Sequence, residues 1–275
     1  MQKKIAVIND LSGYGRCSLT VAIPVLSAMG HQCCPIPTAI LSNHTEFPVY
    51  FFDDYTEKMT TYTDKWKELG LSFDAIATGF LGSEAQIGIV MEIVQKLKAE
   101  KTFVVVDPVM GDHGHAYETY TPEMCEQMKE LVCMADVVLP NVTECCILTD
   151  TPYKEENWTR KELLNMAMML RLMGAKSVVI TGVREGSYYT NVVLEQGQYD
   201  ARFIRTKSSG GERPGTGDVF SSVVAGALLN GKSLPEAVTQ AAGFVKDCIK
   251  VSDEEQIPHA NGVCFEKILG KLIKK

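Results

Sequence analysis

Three short, unbroken apolar runs constrain the fold most: Ile5-Ala6-Val7-Ile8, Phe103-Val104-Val105-Val106 and Val178-Val179-Ile180. Each is too short for a helix and rich in β-branched residues. A run with no polar alternation marks a strand covered on both faces, as in parallel sheets. Stretches of helical periodicity lie between them, at 57–69, 84–99 and 159–173. Parallel neighbours need a crossover that travels back along a sheet face, so this alternation predicts an α/β fold with helices on both faces of a mostly parallel central sheet. The pattern changes after Gly182. Runs at 188–194 and 198–206, joined by Glu195-Gln196-Gly197, predict an antiparallel hairpin at one sheet edge. Two further helices are expected at 234–250 and 262–273.

Nothing in the 275 residues reads as a linker, so a single domain over 1–275 is expected. The formal charge of -7, with no basic stripe, argues against nucleic acid as a partner. No apolar run reaches the ~18–20 residues of a membrane span, and Met1-Gln2-Lys3-Lys4 does not open a signal peptide. Nine cysteines, two adjacent pairs among them (Cys33-Cys34 and Cys145-Cys146), and no Cys-x-x-Cys fit free thiols in a reducing cytoplasm.

The residues that end the buried runs carry the chemistry, because open α/β sheets bind ligands at the carboxyl ends of their strands. The first run leads to Asn9, Asp10 and Ser12 and then Gly13-Tyr14-Gly15-Arg16-Cys17-Ser18. That has the outline of a dinucleotide turn, but Ser18 stands at the third glycine position and no acidic residue ends a second strand. A second strand at 33–40 leads to Ser42-Asn43-His44-Thr45, and 46–56 reads as a surface excursion. His44 by itself is more often structural than catalytic. The run Phe103 to Val106 leads to Asp107-Pro108-Val109-Met110-Gly111-Asp112, where two carboxylates suit a hard cation such as Mg²⁺ or, equally, a turn. His113-Gly114-His115 lacks a third ligand and reads as a loop. Asn141 and Glu144 share one face of a helix start and could orient a hydrated cation or simply cap the helix. Thr181 ends another buried strand.

Arg213-Pro214-Gly215-Thr216-Gly217-Asp218 precedes an apolar segment expected to be a helix buried on all sides. Glycines allow a tight approach to a ligand, and a helix start presents unpaired N–H groups to an anion. Asp218 would stand at the mouth of that cradle, placed as a general base or, more plainly, as a cap.

Taken together, Ser42-Asn43-His44-Thr45, Asp107 to Asp112, Tyr120-Thr121-Pro122-Glu123, Pro140-Asn141-Val142-Thr143-Glu144 and Gly215-Thr216-Gly217-Asp218 resemble the ribokinase superfamily, and within it the pyridoxal kinase branch. The resemblance covers most of the chain, from Gly13 past Asp218. It implies a ribokinase-like three-layer sandwich. It also implies ATP with Mg²⁺ as phosphoryl donor, a vitamin B6 vitamer as acceptor, and a homodimer, and it leaves a monovalent-cation requirement open. By the same resemblance Asp218 is the base, and Gly215, Thr216 and Gly217 form the anion hole. Asp107, Asp112 and Glu144 manage the cations, while Asn141, Thr181 and Tyr120 lie near the nucleotide phosphates. Thr45 and Phe80 face the pyridine ring, with Ser12 close by. Asn9 stands where many members have a serine against the ring nitrogen.

The nearest alternative is the hydroxymethylpyrimidine kinase branch, in which a cysteine commonly replaces the aspartate corresponding to Asp218. A nicotinamide oxidoreductase would rest on the N-terminal glycines alone. A binding module without turnover would leave base, cation and anion-hole candidates together without a task.

Overall fold

The computed structural model describes residues 2–273. Its strands are β1 (Lys4–Tyr14), β2 (Gln32–Asn43), β3 (Phe52–Asp54), β4 (Ala75–Thr78), β5 (Phe103–Val106), β6 (Gly111–Asp112), β7 (His115–Ala116), β8 (Val137–Val138), β9 (Ser177–Glu185), β10 (Tyr188–Leu194) and β11 (Arg202–Lys207). Its helices are α1 (Ser18–Ala28), α2 (Thr56–Glu68), α3 (Glu84–Leu97), α4 (Pro122–Cys133), α5 (Val142–Thr149), α6 (Arg160–Met173), α7 (Thr216–Leu229) and α8 (Leu234–Glu254).

One nine-stranded sheet runs β11-β10-β9-β8-β5-β4-β1-β2-β3. The six strands from β2 to β9 in that order pair in parallel. β3 adds antiparallel at one edge, and the hairpin of β10 and β11 adds at the other. Helices α2 to α6 close one core against the sheet, and α1, α7 and α8 close a second on the opposite face. This is the mostly parallel three-layer arrangement with an antiparallel edge hairpin that the sequence implied.

Strand parity assigns the site residues to a layer. Along β1, Ile5 and Val7 face the core of α1, α7 and α8, while Ala6 and Ile8 face the other. Side chains alternate with period two, so Asn9 continues the row of Ile5 and Val7. Ala75 and Ala77 lead in the same way to Gly79, and Val105 leads to Asp107. From β1 the chain steps out to β2 and then returns across to β4, so a crevice opens at the carboxyl ends of β1 and β4.

Several boundaries differ from expectation. β1 continues past Asn9 to Tyr14, and β2 to Asn43, because the two strands stay paired across a bulge in which Asn9 to Leu11 opposes Pro37 to Ile40. Gly13 therefore lies in a strand, and no dinucleotide turn forms. The second run of the edge hairpin starts at Arg202, since Gln198 N–H folds back on the Glu195 carbonyl. Residues 262–273 do not form an α-helix. Gly262 at φ +73° breaks the chain into 3₁₀ turns at His259–Asn261 and Glu266–Leu272. That bend lets the Arg16 guanidinium donate to the Asn261 carbonyl at 2.9 Å and pair with Glu266 at 2.7 Å. Helix α7 is sunk between α1, α8 and the sheet, as its apolar circumference predicts.

Candidate active site

Helix α7 starts with Gly215 at φ +76°, and no side chain caps its first turn. A Cβ on Gly215 would stand 1.7 Å from the Arg16 carbonyl oxygen, so no larger residue fits. Gly217 is exposed, Thr216 N–H reaches back to the Arg213 carbonyl at 3.4 Å, and no side chain accepts from this turn. Asp218 follows, with Oδ1 accepting from Asn9 Nδ2 at 3.2 Å. Burial pushes its carboxyl up to about 6; the nearby Asp10 charge adds to the rise, and hydrogen bonds from Ser18 N–H and Asn9 oppose it. A carboxylic acid that ionises near neutrality, beside an open helix start, is suited to taking a proton from a hydroxyl.

Behind it, Asp10 is almost wholly buried and accepts from Ser12 Oγ at 2.8 Å and from Ser18 Oγ. Desolvation raises its pKa, and the two hydroxyls hold it back. Ser18 itself sits at φ +52°, a conformation uncommon outside glycine. Asp107 lies at the end of β5, and its carboxyl is shifted upward by burial and by the Asp218 charge, against a hydrogen bond from Ser221.

A second corner lies at the start of α5, where Asn141 Oδ1 accepts from Glu144 N–H at 2.9 Å and Glu144 Oε2 accepts from Asn141 N–H at 2.7 Å. Glu144 Oε1 takes Met110 N–H at 3.1 Å, and Asn141 Nδ2 donates to the Gly111 carbonyl at 2.9 Å. Burial and the Asp107 charge drive the Glu144 pKa well upward, while the backbone donors pull it down. Asp112 is the exposed last residue of β6, paired with His115 of β7, and accepts from His113 N–H. Among the described residues no three His, Cys, Asp or Glu side chains are arranged to hold a metal ion. The charges of Asp107 and Asp112 both act on Glu144, each of whose oxygens accepts one backbone N–H.

Of the remaining predicted residues, Thr181 pairs by a parallel bridge with Asn141, its hydroxyl 3.4 Å from the Pro140 carbonyl. Tyr120 is buried before α4, and its Oη has no hydrogen-bond partner. Phe80 donates its N–H to Asn9 Oδ1 and accepts Thr38 Oγ1 at its carbonyl. Thr45 is exposed in the turn after β2. His44 Nε2 lies 2.7 Å from the Ala260 carbonyl, tying the turn after β2 to the 3₁₀ turn His259–Asn261.

Sequence reasoning missed Thr78 and Tyr117. Thr78 ends β4 and lines a cavity of about 20 Å³ with Asn9, Asp218 and Ser221. Its buried Oγ1 is unpartnered. Its position at a strand end was the available signal. Tyr117, 42% exposed as a whole residue, is held away from ionisation by desolvation of its hydroxyl and then by the charges of Glu144, Asp112, Asp107 and Asp218. Nothing local in the sequence marked it.

The residues present fit a cation-bearing phosphate ligand. Two buried hydroxyls lack partners, burial and neighbouring negative charge push the Asp107, Glu144 and Asp218 carboxyls upward, and the α7 start has no side-chain cap. A phosphomethylpyrimidine kinase family model matches residues 22–264. The chain belongs to that family.

Within the family, a hydroxymethylpyrimidine/phosphomethylpyrimidine kinase of Aquifex aeolicus is 32% identical over 174 residues, covering 62% of this chain and 66% of that protein. A Bacteroides thetaiotaomicron protein, provisionally named a phosphomethylpyrimidine kinase, has been crystallised in two forms. Its rhombohedral form superposes with a TM-score of 0.96 at 39% identity, covering 100% of this chain and 95% of that one. Its orthorhombic form, with pyridoxal, gives 0.92 at 40% identity, covering 99% and 96%. Pyridoxal kinase from Lactobacillus plantarum gives 0.91 at 27% identity, covering 99% and 97%. Among the described residues no helix is long and apolar enough to cross a membrane.

Proposed function

We propose that this protein, through one kinase domain, transfers the γ-phosphoryl group of ATP to the 5′-hydroxymethyl of a vitamin B6 vitamer, giving the 5′-phosphate and ADP. The observation that carries the reading is Asp218: a carboxyl poised near 6 at the mouth of an uncapped helix start, in a chain alike over nearly its whole length to a structure containing pyridoxal. Asp218 takes the hydroxymethyl proton as that oxygen bonds to the γ-phosphorus, and the bond to the ADP oxygen breaks. N–H groups of Gly215, Thr216 and Gly217 face the oxygens on which charge gathers.

Asp107, with Glu144 and Asp112 acting through water, would hold the magnesium of Mg·ATP, which offsets phosphate charge when bound. Asn141, Thr181 and Tyr120 would border the nucleotide phosphates, with Thr45, Phe80 and Ser12 on the side of the ring. The hairpin of β6 and β7 and the 207–212 loop approach each other where His113 Nε2 lies 3.4 Å from Glu212 Oε2, which makes them the segments to keep water from the phosphoryl group. We further expect a cytoplasmic homodimer; all nine cysteines are free.

The family match and the Aquifex relative favour one other acceptor, hydroxymethylpyrimidine. Coupled ADP release with Mg·ATP, comparing pyridoxal, pyridoxamine, pyridoxine and hydroxymethylpyrimidine, separates the two. A higher kcat/KM on a B6 vitamer is expected. A preference for the pyrimidine would reassign the substrate and keep the chemistry, and no turnover on any of the four would end the kinase reading.

A further inference from the structure

Asn9 occupies the position at which the resemblance puts a ring-nitrogen contact, and its bonding points elsewhere. Its Oδ1 accepts two backbone N–H groups, Asp10 at 3.0 Å and Phe80 at 2.9 Å. An amide oxygen has two lone pairs, so both are taken. Those two donors also fix which way the amide faces, since an Nδ2 in that place would oppose two N–H groups. Nδ2 is thereby aimed at Asp218 Oδ1, an acceptor, at 3.2 Å. The side chain is 6% exposed and follows the parity of Ile5 and Val7 toward α7.

The seat for this amide is cut by Gly79. A Cβ there would lie 2.3 Å from Asn9 Nδ2 and 2.5 Å from its Cγ. Gly79 N–H is itself pinned to the Ile8 carbonyl at 2.9 Å, so β1 and β4 hold the amide from both sides. An exposed ring-reading side chain would need neither the doubly filled oxygen nor a glycine beneath it.

We propose that Asn9 is a positioning residue for the base: it ties the Asp218 carboxylate to the β1–β4 crevice and sets the direction from which that carboxylate meets the acceptor hydroxyl, rather than reading the ring nitrogen. The inference rests on Asp218 being the base. It also gives Gly79 a task, because any side chain there displaces the Asn9 amide without altering Asn9 itself.

The test uses the full chain with Mg·ATP and pyridoxal as probes, in four variants: Asn9→Ala, Asn9→Ser, Gly79→Ala and Asp218→Asn. Turnover, KM for pyridoxal, and pyridoxal affinity without nucleotide are measured, with a thermal melt to confirm folding. Both Asn9 variants and Gly79→Ala should lose roughly 10- to 100-fold in kcat, the cost of a misplaced catalytic group, with pyridoxal affinity unchanged. Serine should not rescue, since its hydroxyl is too short to span the backbone donors and the carboxylate together. The inference is overturned if Asn9→Ala weakens pyridoxal binding at unchanged kcat and Asn9→Ser restores it, which is the signature of a ring contact. It is also overturned if Asn9 and Gly79 variants turn over normally while Asp218→Asn is inactive. Normal turnover by Asp218→Asn would instead remove the base reading on which it stands.

Discussion

Helix α5 begins with Asn141 and Glu144 locked in reciprocal bonds, whereas α7 begins with a left-handed glycine and no side chain over its first turn. Both starts lie at the carboxyl edge of the same sheet, and both carry an acidic residue at the third helical position. In α5 that residue, Glu144, bends back and accepts the N–H groups of Asn141 and Met110. In α7 the corresponding Asp218 is drawn off by Asn9, so the turn stays open to an external anion. The difference shows that a helix dipole is available to a ligand only where the chain declines to satisfy it from within. Two motifs that look alike as short acidic helix starts therefore do different work.

The comparison breaks most sharply at Asp218. Asp218→Asn keeps the shape and removes the base, so kcat should fall by roughly 10²–10⁴-fold with ATP affinity little changed. Steady-state kinetics alongside nucleotide binding would check this, and near-normal turnover would place the base elsewhere.

The two helix starts should then fail in different ways. Glu144→Ala leaves two N–H groups without their acceptor, for a loss of about 1–3 kcal/mol for each one buried, read in urea melts. Glu144→Gln retains one acceptor oxygen and should lose less. Gly215→Ala forces a side chain toward the Arg16 carbonyl in a left-handed conformation, at about 1–3 kcal/mol for the backbone alone, and should also cost activity because the cradle shifts. Equal loss of activity from Glu144→Gln and Gly215→Ala at matched stability would erase the distinction.

The smallest effect is in pH. The Asp218 carboxyl is raised from 3.8 to about 6, so the folded protein binds that proton more tightly than the unfolded chain. Its contribution to stability accordingly falls as pH rises from about 4 through about 6, since the folded state must give up a proton it favours. Over the same interval kcat should rise as the base ionises. A pH–kcat profile with an acidic limb near 6, absent from any residual rate of Asp218→Asn, is the expected result; a flat profile from pH 5 to 7 would contradict it.

Much of the architecture was readable because burial leaves a periodic trace. The unbroken runs before Asn9, Asp107 and Thr181 announced a parallel sheet, and the change of pattern after Gly182 announced the hairpin edge. Helix α7 was legible from its apolar circumference and the glycines before it. The tail at 262–273 was not, because its conformation is set by Arg16 far away in sequence and by the bend at Gly262. Among site residues, Asp218, Asp107 and Glu144 stood out as carboxylates at element ends. Whether Glu144 served a cation or the backbone could not be read, since both uses ask for the same residue at the same spacing.

The sequence by itself determined the strand-and-helix alternation, the edge hairpin and the glycine-bracketed start of α7. Local propensity and hydrophobic period are properties of neighbouring residues, and they survive without knowledge of the rest of the chain. Only the tertiary structure decided which acidic helix start was closed and which stayed open, that Thr78 and Tyr117 join the site, and that the Asn9 amide is committed to Asp218. Those outcomes depend on donors and acceptors brought together from distant parts of the chain, and on a burial that raises the pKa of carboxyls no local pattern could have ranked.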